Sequence, residues 1–444
     1  MVVLGGGLSA LATAFTLARE GWKDITIVER SATTGGLAGS FERHGPFYPL
    51  GYHHISYRDY VLLFFLDLIG ASAHVRWRKI RMLFSINGRL ENLGSLLGFL
   101  RFPMKFSDKC FFFRMMLKAF TKSDWSDWEN RSALDLVDAW GSPGVRRALF
   151  EDLTRVKFEL SCAEVSAAWL GARLYSREGS SPLGYIPGAN WTKLLCDGVT
   201  QSVIDLGVSV RVRAEIAKLH VEGQRACAVE LSGGERIGGD LFVSTIPTNR
   251  YCSLVPSDHT RDLSSIRYTA LISVVCATHQ RIDPDFYWMT ITSAGFTASG
   301  IFLLNSLNPT IGGPGENVIN SMRHLGSCDN PLFRISDGEL LARYTADFEK
   351  IFGFKLRAFW VNVSRVPMYS PIFHRDYRNP PVKSETWKNL YFAGNYRTFP
   401  STASTGTALS SGLETGRVIL RDFGQDSELH EVARNFRLAE MPRG

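Results

Sequence analysis

The chain predicts an α/β fold: a Rossmann-like βαβ domain with a parallel sheet that binds a dinucleotide, interrupted by an inserted α+β substrate domain. Three observations predict it. Residues 1–10 (MVVLGGGLSA) run a short apolar strand into a glycine turn and then a helix whose Leu11, Ala14, Phe15 and Ala18 keep the i, i+3, i+4, i+7 spacing of a buried face. A second strand, residues 24–29 (DITIVE), ends in Glu29, 24 residues after Gly5. Far downstream, residues 390–395 (LYFAGN) read as a strand ending in glycine, followed by a helix that opens at Thr405, so the domain begun at one end of the chain is finished at the other.

Each glycine has a separate physical task. Gly5 permits a turn too tight for a side chain, Gly6 continues it, and Gly7 lets the backbone approach a pyrophosphate. Leu8 and Ser9 start the helix, and small Ala10 lets it lie close on its strand. The unpaired first amides and the positive end of the helix dipole then face the ligand's negative charge, while Glu29 is placed to hold a ribose diol by two hydrogen bonds.

Length and composition set the frame. At 444 residues the chain is too long for one core and is expected to form two or three domains. Apolar content of 45% and charged content of 21% exclude wholesale disorder. Seven scattered cysteines without a CxxC pair argue against a disulfide framework or a zinc site and fit a reducing, cytoplasmic setting. The first strand begins at residue 1 or 2, so no leader peptide is expected, and its shortness suggests that a few natural residues are missing. No run of 18 apolar residues offers a spanning helix. The net charge of +7 is concentrated: ten basic residues lie between Arg76 and Lys118 against Glu91 and Asp108 alone. Trp77, Leu97, Phe99, Leu100, Phe102, Phe106, Phe111, Phe112, Phe113, Met115, Met116 and Phe120 are interleaved with them. Two readings stand: peripheral association with an anionic lipid surface, or a helical substrate domain that buries these apolar residues and solvates the cations, which is preferred. Nucleic acid is not expected as a partner, since no binding module accompanies the patch.

The elements follow in order. Residues 1–56 form the first part of the nucleotide domain, and residues 57–178 a helical insertion with apolar stretches at 60–68 and 132–153, the latter broken at Gly141 and Pro143. Residues 179–262 return to the nucleotide domain with a helix from Trp191 that Gly207 stops, a strand on Val208, Val210 and Val212, an extended piece at Ile216, and a buried-type strand at 240–247 (DLFVSTIP). Residues 263–372 read as alternating strands with Gly- and Pro-rich loops, a sheet expected to cover the substrate. Residues 373–424 complete the nucleotide domain, with Ala408, Gly412 and Gly416 forming a small-residue face on the last helix, and residues 425–444 form a polar tail expected to fray.

The glycine turn, Glu29, residues 35–41 (GGLAGSF), the Gly184-Tyr185 segment and residues 391–395 (YFAGN), in this order and spacing, resemble the FAD-dependent superfamily of phytoene desaturases, protoporphyrinogen oxidases, amine oxidases and UDP-galactopyranose mutases. The resemblance covers nearly the whole chain and implies a nucleotide domain of the glutathione-reductase type with FAD as cofactor. It places Gly5 to Ala10 on the pyrophosphate, Glu29 on the adenosine ribose with Arg30 beside it, Gly36 and Leu37 on the flavin phosphate and ribityl region, the Ile216 backbone on the adenine, and Gly394 and Asn395 on the pyrophosphate and ribityl chain. Asn395 stands where the superfamily usually has aspartate, which loses a charge yet still accepts a hydroxyl. The Gly36-Leu37 pair departs from the common Gly-Gly-Arg, towards the desaturase branch. The first amides of the last helix, near Thr405, are expected at the flavin's pyrimidine edge.

The same resemblance puts residues 51–54 (GYHH) beneath the isoalloxazine ring and makes His53 the candidate catalytic residue, because the mutases carry a histidine there. Tyr52, Tyr396, Arg397 and Arg365 are the candidate substrate contacts. A metal at His53 and His54 is not expected: neighbours on an extended chain point to opposite sides, and no carboxylate or cysteine accompanies them. The resemblance implies an FAD-dependent oxidoreductase that accepts a hydride from an apolar or amphipathic substrate; a redox-neutral nucleotide-sugar mutase and a non-catalytic prenyl-protein escort are the alternatives. Oligomeric state and electron acceptor stay open.

Overall fold

The computed structural model describes residues 1–86, 89–92, 95–176, 182–256 and 260–438. The expected boundary at 178/179 and the last six residues of the tail lie outside the described residues. Five parallel strands form the nucleotide-binding sheet in the order Ser209–Arg211, Thr26–Val28, Val2–Leu4, Phe242–Ser244, Leu390–Phe392. Of the three inner strands, Val2–Leu4 and Phe242–Ser244 are fully buried, as in a parallel sheet covered on both faces.

The opening helix, Leu8–Arg19, is buried over almost its whole length because the closing helix, Thr405–Asp422, lies directly on it. The small-residue face makes this possible: a Cβ on Gly412 would stand 2.3 Å from the Ser9 carbonyl oxygen, and one on Gly416 2.6 Å from Thr16 Cβ. Ser9 Oγ donates to the Ala408 carbonyl at 2.7 Å and Thr13 Oγ1 to that of Gly412 at 3.1 Å, so chain start and chain end are locked together beside the glycine turn.

A seven-stranded sheet forms the second layer, in the order Trp360–Pro371, Tyr268–Thr278, Asn317–Leu325, Gly300–Leu303, Trp288–Ile291, Met82–Ile86, Arg89–Glu91. The segment at 57–178 is therefore not purely helical: Met82–Ile86 pairs in parallel with Trp288–Ile291. Its alternating burial is the period-2 signature of a strand. Helix Asp337–Phe352, which the alternating-strand reading overlooked, buries Leu340, Tyr344 and Phe348 in the same core as the sheet; Ser336 caps its start and Gly353, at φ 77°, ends it.

Helices Phe106–Thr121, Ala133–Trp140, Glu151–Phe158 and Ala167–Tyr175 form the third layer around Trp125, Trp128, Phe158 and Trp169. Here the preferred reading of the basic segment holds only in part. Phe102, Phe112, Met115 and Met116 are buried, but Leu97 is 67%, Phe106 74% and Phe113 61% exposed, with Leu100, Phe111, Leu117 and Phe120 also open. Among the described residues no helix is long and apolar enough to cross a membrane.

Candidate active site

One continuous cavity of about 960 Å³ runs from the glycine turn, between the nucleotide sheet and the seven-stranded sheet, to the helical layer. At its start Gly5 has φ 95°, and a Cβ there would lie 2.8 Å from Ile246 Cγ2 and 2.9 Å from Thr245 Oγ1. A Cβ on Gly7 would meet nothing within 4 Å, so this backbone borders open space. Gly7 is also the cap of the opening helix and supplies no side-chain acceptor, which leaves the first amides for a ligand. The second glycine loop docks on the first: Gly35 N donates to the Gly6 carbonyl at 2.8 Å, and a Cβ on Gly36 would lie 3.3 Å from Gly7 Cα.

Glu29 is buried at the cavity wall, where its Oε2 accepts from Gly6 N and its Oε1 from Ser31 N, both at 2.7 Å. Each oxygen keeps capacity for a hydroxyl donor. Arg30 and Ile216 line the same end. So does Arg250, which the sequence reading missed; it donates to the Ile216 carbonyl at 2.9 Å and pairs with Glu215. Gly6 and Ala10 do not line the cavity: Gly6 acts through its bond to Glu29, and Ala10 is wholly buried in the opening helix.

Gly36 and Leu37 follow along the wall, and Leu37 is 40% exposed, an apolar side chain open to the cavity. His53 Nε2 lies 3.3 Å from the Leu37 carbonyl, which ties the histidine to this loop. Burial, partly offset by that bond, pushes His53 down to about 4, so its imidazole is neutral near pH 7. Tyr52 stacks on Phe302 with ring centroids 4.0 Å apart and interplanar angle 9°, and both line the cavity with Trp288.

Opposite, Gly394 adopts φ 146°, where a Cβ would strike Tyr396 at 2.8 Å, and its N–H donates to Ser411 Oγ at 3.0 Å. Asn395 Nδ2 donates to the Tyr369 carbonyl at 3.1 Å, a bond that the usual aspartate could not make. Thr405 lines the cavity at the start of the closing helix, but Ser404 Oγ already accepts from Thr407 N at 3.2 Å, so only the earlier amides of that turn remain. A Cβ on Gly406 would overlap the Asp59 carboxylate, so any larger residue there requires that side chain to move.

Three of the expected substrate contacts are placed differently. Tyr396 is buried behind the cavity, its hydroxyl donating to the Ser244 carbonyl at 3.1 Å, and Arg397 is directed to the Pro380 carbonyl at 2.9 Å and to Glu414. Tyr396 packs against Gly394, and neither residue lines the cavity. Arg365 borders the cavity, yet its guanidinium spans the Phe333 and Ile335 carbonyls and Asp337 Oδ1, so it clamps the segment that leads into helix Asp337–Phe352.

Comparison with known proteins settles the family. The model for flavin containing amine oxidoreductases matches residues 8–420. The chain belongs to that family. No curated protein matches. Among solved structures this amine oxidoreductase is similar to a putative protoporphyrinogen oxidase from Exiguobacterium sp. 255-15 (16% identity, TM-score 0.76, covering 94% of this chain and 98% of that one). It is similar to reduced UDP-galactopyranose mutase (12%, 0.72, 98% and 98%) and to wild-type putrescine oxidase bound to putrescine (13%, 0.71, 95% and 98%). Its cofactor is FAD. The residues fit that group: a glycine cradle that a Cβ on Gly5 would disturb on one side and that is open at Gly7 on the other, a buried carboxylate with acceptor capacity, and the buried Thr402 Oγ1, which lines the cavity without a partner among the described residues.

Proposed function

We propose that this amine oxidoreductase takes a hydride from a largely apolar or amphipathic substrate, by desaturation or dehydrogenation. The observation that carries the reading is the chamber beyond Tyr52 and Asn395, whose walls include Met82, Phe84, Trp288, Phe302, Leu149 and Val156. Such walls bind carbon chains by excluding water, at about 25 cal/mol per Å² of apolar surface covered. When bound, FAD supplies the hydride acceptor. The chain's part is orientation: Gly5, Gly7, Leu8, Ser9, Glu29 and Arg30 would anchor the nucleotide end, and Gly36, Leu37, Asn395 and Thr405 the region next to the chamber. His53, neutral and tied to Leu37, would present a hydrogen-bonding edge without adding charge.

The proposal includes uptake from an anionic lipid surface. Helix Phe106–Thr121 supports it, because Phe112 lines the cavity while Phe106, Phe113 and Leu117 stand exposed among Lys105, Lys109, Arg114 and Lys118. Apolar side chains flanked by cations match that surface in both polarity and charge.

A redox-neutral nucleotide-sugar mutase is the second reading, favoured by the position of His53 on the cavity wall. Anaerobic incubation of the FAD-loaded protein separates the two. Oxidised flavin that loses its yellow colour with amphipathic candidates, in proportion to unsaturated or dehydrogenated product, is the expected result. Conversion of a nucleotide sugar to its ring isomer, with the flavin returned to its starting colour, would overturn it.

A further inference from the structure

The chamber's far end carries charge that nothing else in the site explains. Lys157, on helix Glu151–Phe158, and Arg173, on helix Ala167–Tyr175, both line the cavity. Among the described residues neither side chain has a hydrogen bond or a carboxylate partner, whereas Arg58, Arg250 and Arg365, which also line the cavity, are each tied to the protein. Opposite them, on strand Asn317–Leu325, His324 is 8% exposed and lines the cavity with its Nε2 unpartnered. Trp125 packs on Gly171 of the Arg173 helix, its ring borders the cavity, and its buried indole N–H meets no acceptor among the described residues.

We infer that Lys157, Arg173, His324 and Trp125 form a subsite for an oxyanion, the carboxylate or phosphate head group of an amphipathic substrate whose apolar body fills the chamber. This rests on the substrate reading above and narrows it. An unpaired cation partly withdrawn from water costs stability, and a ligand that neutralises it recovers that cost. Arginine's planar fork suits a carboxylate or phosphate, lysine adds a point charge, and the indole can only donate. The electrostatics agree with the geometry: burial and then the nearby Arg173 lower Lys157 to about 7, and burial followed by Lys157, Arg173 and Arg323 holds His324 well below its ordinary value. Arg323 lies 3.7 Å from Glu159 and does not line the cavity, so it is not part of the subsite. The subsite communicates with the flavin end: the His324 and Tyr369 rings lie 5.6 Å apart, and the Tyr369 carbonyl accepts from Asn395. A substrate anchored here would therefore lay its chain towards Asn395 and His53.

The test is calorimetric titration of the FAD-loaded protein with decanoate, decyl phosphate and decanol, which share a tail and differ in head group. At least one of the two anions should bind about tenfold or more tighter than decanol, and the better of them identifies the head group. K157M and R173M should each lose about tenfold in affinity for that anion while keeping decanol affinity within about twofold. Equal affinity of all three probes in the native protein, or native anion affinity in both variants, would overturn the subsite and leave the apolar-substrate reading intact. Failure of every probe to bind would remove both.

Discussion

Lys157 shows how a single residue can trade stability for a binding role. Its folded value of about 7 lies below its ordinary value of 10.5, so the unfolded chain holds the proton more tightly between those limits. Stability contributed at this site is therefore lowest below about pH 7 and recovers as pH rises towards 10.5. Lys157→Met should raise the ligand-free melting temperature at pH 7, by a gain on the order of 1 kcal/mol, and should flatten the rise in stability between pH 7 and 10. Thermal unfolding followed across that range checks both. A lower melting temperature with an unchanged pH slope would mean that Lys157 is solvated or paired. His53 behaves in the opposite functional sense: a value near 4 keeps it neutral through the same range, so it offers hydrogen bonding but no charge.

Among the elements, the two helices that bracket the chain decide whether the cradle exists. Gly412 lets them touch, and Gly412→Ala would place a Cβ 2.3 Å from the Ser9 carbonyl oxygen. The variant should lose about 1–3 kcal/mol of stability and weaken FAD retention, because Ser9 begins the helix that borders the cofactor trough. Denaturant unfolding and bound-flavin absorbance measure the two effects; native values for both would show that the helices do not need this close approach. This contact was legible in the sequence as small residues recurring every four positions, and so were the glycine turn, Glu29 and the closing strand, because local backbone chemistry dictates them. Other elements were hidden for physical reasons. Met82–Ile86 joins a partner more than 200 residues away, a pairing that no local period records. Helix Asp337–Phe352 carried Ser336 and Gly353 as its start and stop, a capping signal that was available and was passed over in a strand-rich region. Nothing local sets Lys157 and Arg173 apart from other helix cations, and only packing brings them to a cavity wall. Tyr396 and Arg397 follow the Gly394 turn immediately, but bonds to the Ser244 and Pro380 carbonyls hold both away from the cavity wall.

For the whole molecule, the placement of the helical layer links chemistry to surroundings. One side of helix Phe106–Thr121 walls the cavity and the other exposes Phe106, Phe111, Phe113, Leu117 and Phe120 beside lysines and arginines. The protein should sediment with vesicles containing phosphatidylserine and much less with neutral phosphatidylcholine vesicles. Binding should weaken with added salt, as surface charge is screened within about 8–10 Å. Replacing Phe106 and Phe113 together by Asp should abolish vesicle binding while leaving flavin content unchanged. Equal binding to both lipids, or retention by the double variant, would remove the membrane from the account.

The nucleotide trough bears the central claim, and the most direct measurement is an equilibrium titration of the apoprotein with FAD and, separately, with FMN, for the native chain and for Glu29→Ala. The account predicts one FAD per chain in the native protein. It also predicts a loss of about tenfold or more in FAD affinity for Glu29→Ala, and no change for FMN, which lacks the adenosine ribose. A native protein that takes up no FAD, or a Glu29→Ala variant that binds FAD as tightly as the native chain, would contradict it.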